Sequence, residues 1–273
     1  MAIWTHLIRF VAEEDGKPYF ATCDSKLLNI GESAKGFESL TELGKANGGD
    51  AKTYTIKEMI APVKPDLPIV CIGLNYANHA KEASLEVPKN PPMWYKPPTS
   101  LAGPGTIPVP KVAQDHFFDY EGEFTIVTSK DAKDVSVEDA PDYILGYTIG
   151  NDLTARLFQI GQYTYAKSFD HFAPIGPAIL NAANFGAVKE KRVKTKVNGD
   201  VKQDSPVDLI WGPAELVSFL SQGRTLPAGT AIMTGTPAGV GWFQKPQYSL
   251  KDGDVVEISI DGLGTLKNTM KFE

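Results

Sequence analysis

The chain has 273 residues, with 27 Lys and Arg against 33 Asp and Glu, giving a formal charge of −6. That acidic balance argues against nucleic-acid binding, which needs a basic face to neutralise phosphates. An apolar share of 42% supports a sizeable core, and no apolar run reaches the ~18 residues of a membrane span, so both disorder and membrane insertion are excluded.

Glu13, Glu14 and Asp15 follow the start too quickly for a signal or transit segment, so a cytoplasmic location is expected. Cys23 and Cys71 stand far apart and form no CxxC, which disfavours both a disulfide scaffold and a thiolate zinc site. The four histidines form neither HxH nor HExxH, so a bound metal would draw mainly on carboxylates.

In chain order, alternating apolar residues on either side of Asp15-Gly16 predict a hairpin between Trp4 and Phe20. A short helix is expected over Ser39 to Lys45, stopped by Gly48-Gly49. The prolines of Ala61-Pro-Val-Lys-Pro-Asp-Leu-Pro68 mark a boundary, dividing a small N-terminal α+β domain (1–64) from a larger domain (65–273). Ile69 to Ile72 reads as a buried strand, Tyr76 to Leu85 as a helix, and the Pro-rich stretch Pro88 to Pro110 as an ordered loop. Strands are expected at Asp119 to Val127 and Tyr143 to Ile149, with helical patterning after Asp152. A hairpin at Asn198-Gly199, a helix over Pro213 to Ser221, and strands at Ala231 to Thr234 and Val255 to Ile260 complete the chain, the last turning at Asp261-Gly262. The result is an α+β fold, rich in strands.

Within Phe118-Asp-Tyr-Glu-Gly-Glu-Phe-Thr-Ile-Val127, strand alternation puts Asp119, Glu121 and Glu123 on one face, neighbours about 7 Å apart. Gly122 between them predicts close packing on the opposite face. Like charges so placed repel unless a cation sits among them, and oxygen donors select Mg²⁺, Mn²⁺ or Ca²⁺ over Zn²⁺. A solvated edge strand explains the same stripe. Asp152, just past a strand, is either a third ligand or a helix cap. His79 and Glu82 lie three apart on one helix face, a spacing at which the carboxylate would orient the imidazole and raise its basicity, or form a plain surface pair. Lys167 lies among aromatics, either to balance an anion or to snorkel outward. The Gly-rich turn Met233 to Gly241 offers backbone N–H groups to an anion but lacks the marks of a nucleotide loop.

Taken in order, Gly73-Leu-Asn-Tyr-Ala-Asn-His-Ala-Lys-Glu82, Asp119-Tyr-Glu-Gly-Glu123, Gly146 to Arg156, Lys167-Ser-Phe-Asp170, Val197-Asn-Gly199 and Thr234-Gly-Thr-Pro-Ala-Gly-Val-Gly241 closely resemble the fumarylacetoacetate hydrolase family. The run Thr236 to Pro246 is most similar to its oxaloacetate tautomerase branch. The resemblance implies a catalytic domain of mixed strands curled into a roll, a Mg²⁺ or Mn²⁺ site and a homodimer. It implies metal ligation by Glu121, Glu123 and Asp152, an acid–base dyad of His79 and Glu82, and charge stabilisation by Lys167. It also implies substrate contacts from Arg156, Gln159, Gly235 and Thr236. Leu157 stands where the family often has Asp, and Leu74 where many members carry Arg. A small 2-oxo or 2,4-dioxo acid would react through a metal-stabilised enolate, by C–C hydrolysis first, and otherwise by keto–enol tautomerisation, decarboxylation or a biosynthetic tailoring step. The reading from another class is a ligand-binding protein that keeps the fold without catalysis.

Overall fold

The computed structural model describes residues 4–24, 27–45 and 51–273; the expected Gly48-Gly49 helix stop lies outside them. The Asp15-Gly16 turn joins β1 (His6–Ala12) to β2 (Pro18–Cys23), as the alternation predicts. β3 (Ser33–Lys35), α1 (Leu40–Lys45) and β4 (Thr53–Ile60) follow. Ile8, Phe10, Tyr19, Ala21 and Ile56 pack together here with Ala178 from far along the chain. The Pro-rich passage leads into β5 (Ile69–Ile72) and then α2 (Ala77–Glu82). This helix is shorter than expected, because Ser84 turns the chain away with φ +56.

Pro88 to Pro110 is not a loop. It contains β6 (Met93–Lys96), β7 (Leu101–Ala102) and β8 (Gly105–Val109). Its prolines are tolerated because β6 and β8 each end the strand order of a sheet, where an unpaired edge needs no N–H. The chain continues through α3 (Lys111–Gln114), β9 (Phe118–Asp119), β10 (Gly122–Thr128), β11 (Ala132–Lys133), β12 (Ile144–Asn151) and β13 (Thr154–Ala155). Then come α4 (Thr164–Lys167), β14 (Ala173–Asn181), α5 (Ala182–Phe185), β15 (Arg192–Val197) and β16 (Asp200–Pro206). The last elements are α6 (Pro213–Ser221), β17 (Thr225–Leu226), β18 (Ala231–Met233), β19 (Val255–Ile260) and β20 (Gly264–Phe272). α6 opens with Pro213, whose missing N–H costs nothing in a first turn, and Glu215 accepts the Gly212 N–H at 2.6 Å.

The larger sheet runs β3-β4-β1-β14-β12-β10-β18-β5-β6, with β2 added on β1 and β7 on β14. The pairing of His6 with Leu180 and Leu7 with Ile179 carries the N-terminal strands directly onto this sheet. A second sheet, β16-β15-β19-β20-β8, packs against β10, β12 and β14. Phe124, Ile126, Ile149, Val193, Val256, Ile258 and Leu266 fill the space between them. Each such side chain contributes about 1.5–3 kcal/mol when fully buried. No helix among the described residues is long and apolar enough to cross a membrane.

Candidate active site and metal centre

β12 and β18 both run antiparallel to β10, while β5 runs parallel to β18. The C-terminal ends of β5, β12 and β18 therefore meet the N-terminal end of β10 at one edge of the sheet. Gly122 pairs with Asn151, which sets Asp152 beside Glu121 just beyond the ladder. Two further bonds fix this corner: Asp152 N–H donates to the Glu121 carbonyl at 2.9 Å, and Glu121 N–H donates to Asn151 Oδ1 at 3.1 Å. Glu123 is held from β18's side by the Gly235 N–H at 2.7 Å.

One carboxylate oxygen from each of Glu121, Glu123 and Asp152 lies within 4.8 Å of the others, and all three residues are buried. The edge-strand reading of the acidic stripe is thereby overturned, since β10 is internal to the sheet and buried along its whole length. Asp152 is not a helix cap either; α4 begins only at Thr164. The stripe is also not one strand. The chain breaks between β9 and β10, and Asp119 turns from the triad to accept N–H bonds from Gly241 and Trp242 at 2.8 and 3.0 Å.

Three buried cations face these acids. Lys167 Nζ donates to Glu121 and Asp152, each at 2.8 Å, and to Thr154 Oγ1 at 2.9 Å, which uses all three of its donors. Lys167 thus does not snorkel outward, and its charge lies against two of the triad carboxylates. Arg156 bridges Asp119 (Nε, 2.8 Å) and Glu121 (Nη1, 2.6 Å). Lys96 Nζ lies 2.5 Å from Asp152 Oδ1 and donates to the carbonyls of Leu153 and Phe172. Burial alone would raise the Glu121 carboxyl, but Arg156 and Lys167 overcome it and hold the group down at about 2. Glu123 is pushed the other way, well above the usual carboxylate range, first by burial and then by the charges of Asp152 and Glu121. Among the described residues no lysine or arginine is ion-paired with Glu123.

The floor thus has one buried carboxylate more than it has cations, and its donors are all oxygen. That donor set fits a hard divalent cation, which Glu121, Glu123 and Asp152 would hold. Glu121 and Glu123 open into a cavity of about 280 Å³ lined also by Leu74, His79, Gln159, Tyr163, Thr236 and Phe243, with Asp152 buried beside them. His79 Nδ1 lies 3.0 Å from Glu82 Oε2, and the other Glu82 oxygen accepts the Gly239 N–H at 2.9 Å. With Glu82 ionised the shared proton sits on Nδ1, leaving Nε2 as the basic nitrogen. Gln159 Oε1 accepts from Arg156 Nη1 at 3.3 Å. Thr236 Oγ1 donates to the Gly122 carbonyl at 3.0 Å and accepts from Gln203 at 2.7 Å. The N–H of Gly235 is engaged by Glu123 rather than directed to the cavity.

Two supporting residues escape a reading of the sequence. Lys96 shares with Trp94 the buried face of β6, while Tyr95 between them is exposed, so period-two alternation was the available signal. Gln203 accepts the Gly122 N–H at 3.0 Å and the Thr195 hydroxyl at 2.7 Å, and so ties β10 to the second sheet. The close packing expected at Gly122 is present, as a Cβ there would lie 2.2 Å from Thr195 Oγ1.

Residues 68–271 match the family model described as fumarylacetoacetate (FAA) hydrolase C-terminal. A caffeoylpyruvate hydrolase of Neonothopanus nambi is 38% identical over 290 aligned residues, covering 99% of this chain and 94% of its own. The oxaloacetate tautomerase YisK of Bacillus subtilis is 40% identical over 223, covering 79% and 74%. Among solved structures, a 2-hydroxyhepta-2,4-diene-1,7-dioate isomerase from Mycobacterium marinum superposes with a TM-score of 0.81 at 34% identity, covering 98% of this chain and 99% of that one.

Proposed function

The chain belongs to the fumarylacetoacetate hydrolase family of enzymes, and from that premise we propose that it is a divalent-metal-dependent hydrolase cleaving a C–C bond of a 2,4-dioxo acid. The observation that carries this reading is the convergence of Glu121, Glu123 and Asp152 at a cavity that the two glutamates line together with His79, the imidazole of the His79–Glu82 pair. Mg²⁺ or Mn²⁺ bound by the triad would supply Lewis acidity toward the carboxylate and 2-keto oxygens of the substrate and favour its enolate form.

The chain's own residues supply the rest. His79 Nε2 takes a proton from water, and Glu82 stabilises the imidazolium that results. The hydroxide adds to the C4 carbonyl. The C3–C4 bond then breaks with its electron pair passing to C3, which His79 protonates, so that one water and one 2,4-dioxo acid yield one carboxylic acid and one 2-oxo acid. Arg156 and Gln159 orient the substrate from the side of Glu121. Lys167 and Lys96 hold Glu121 and Asp152 in place throughout.

A second reading, keto–enol exchange of oxaloacetate by proton transfer at His79, is favoured by the 40% identity with a tautomerase. The test of both is turnover of acetylpyruvate and of enol-oxaloacetate with Mg²⁺ and with chelator. Chelator-sensitive loss of acetylpyruvate absorbance with release of acetate is the expected result. Undiminished turnover in chelator would remove the metal from the proposal, and turnover of oxaloacetate alone would replace hydrolysis by tautomerisation.

A further inference from the structure

Resting on the reading of this cavity as a 2,4-dioxo acid site, we infer that the acyl group it accepts at C4 is uncharged and aryl or alkyl, and that a second carboxylate at that end is rejected. The cavity changes chemistry abruptly away from its acidic floor. Trp94 begins the change: Lys167 Nζ lies over its ring, 5.1 Å from the centroid, so one face borders the ionic cluster. Tyr163 stacks on Trp94 with centroids 5.2 Å apart and planes 26° from parallel. Tyr163 is 47% exposed and Leu85 51% exposed, so this apolar surface runs from the floor to the mouth. Leu74 and Phe243 complete the wall, Phe243 lying edge-on to His79 with centroids 6.0 Å apart.

Leu74 is held at φ +50, a conformation uncommon for residues other than glycine, and marks a spot where backbone strain accompanies a side chain's placement. Gly73 before it lets the backbone close on Trp94, whose ring would lie 3.0 Å from a Cβ at that position.

Charge decides what this wall rejects. The two fixed cations that line the cavity already face anions, Arg156 pairing through Nε and Nη1 with Asp119 and Glu121, Lys167 with Glu121 and Asp152; Arg156 Nη2, which has no hydrogen-bond partner, belongs to the floor that takes the 2-oxo acid end. His79 is paired with Glu82. A carboxylate borne on the acyl group would lose water against Leu74, Leu85, Tyr163 and Phe243 without gaining a counter-charge. An aryl or alkyl group would instead remove apolar surface of both partners from water and could stack on the half-exposed Tyr163.

The experiment compares benzoylpyruvate, acetylpyruvate and succinylpyruvate on the magnesium-loaded enzyme. We expect kcat/KM to fall in that order, with benzoylpyruvate at least tenfold above succinylpyruvate, the scale on which an apolar pocket discriminates. Equal or reversed values would overturn the inference. Leu74→Arg should narrow or invert the benzoyl-to-succinyl ratio, and an unchanged ratio in the folded variant would also count against it. Calorimetric affinities of the same three compounds for magnesium-loaded His79→Ala separate this inference from the reaction type. Benzoylpyruvate binding tighter than succinylpyruvate supports it even if the wild type turns over neither, an outcome that would sink only the hydrolytic reading. Tighter binding of succinylpyruvate refutes it, whatever the turnover.

Discussion

The floor of the cavity takes its acidic triad from the ends of β10 and β12 inside the larger sheet and its lysines from β6 and α4, whereas the wall takes its side chains from β6 and from the segments around α2, before α4 and after β18. On the floor, Lys96, Asp119, Asp152 and Lys167 are each at most 1% exposed. Burying ions is costly, and the arrangement holds only because nearly every charge meets a partner at hydrogen-bond distance. On the wall, Tyr163 and Leu85 remain about half exposed and are held by few polar bonds. A substitution on the floor therefore strands a buried charge, while one on the wall changes mainly what the cavity welcomes. The acidic triad and the apolar wall are thus separately adjustable parts of one site.

The largest effect that would sharpen this contrast is expected at His79, which reaches the site from α2. His79→Ala should lower kcat by about two to four powers of ten, the usual share of acid–base catalysis, while calorimetry finds Mg²⁺ affinity retained. Loss of metal binding in this variant would break the division between wall and floor. Lys96→Met tests the floor itself. Removing one partner of a buried pair costs about 3–5 kcal/mol, so denaturant midpoints should fall accordingly, and Mg²⁺ affinity should weaken as Asp152 loses its support. A stability change within ~0.5 kcal/mol, typical of a surface site, would mean that Lys96 is not integral to the cluster.

The smallest effect, with a change of sign, is expected at Glu123. Its pKa in the folded, metal-free chain is raised, so the contribution of this carboxyl to stability is fully present below the ordinary glutamate pKa and is lost as pH rises through the folded value. In chelator, Glu123→Gln should therefore be the more stable protein at pH 8, with the difference shrinking toward pH 4. With Mg²⁺ at about 100 times its Kd the wild type should gain about 2.7 kcal/mol and overtake the variant, which gains nothing. A melting curve for Glu123→Gln that rises with Mg²⁺ as the wild type's does would remove this residue from the metal site.

Much of the fold was legible because its signals are local. The Asp15-Gly16, Asn198-Gly199 and Asp261-Gly262 turns each join the strands expected of them. Glu121 and Glu123 were recognisable as a pair because a single residue separates them, and His79 and Glu82 because a helical turn does. Lys96 was not, because the groups it binds lie 57 and 76 residues further on, and a buried lysine has no local mark that separates it from a solvated one. The break between β9 and β10 was hidden for the same reason: Asp119 leaves the stripe to meet N–H groups more than 120 residues away. Proline misled in Pro88 to Pro110, since whether a strand lies at a sheet's edge is decided by the whole topology.

Gln203 gives the second sheet a stake in the chemistry. From β16 its amide grips the Gly122 N–H, the Thr236 hydroxyl and the Pro237 carbonyl at once. The peptide link between the two glutamates is thereby pinned from behind by a hairpin that does not line the cavity. Fraying of that distant hairpin would loosen the spacing of Glu121 and Glu123 before it emptied the hydrophobic interior, so the enzyme would fall silent while still folded.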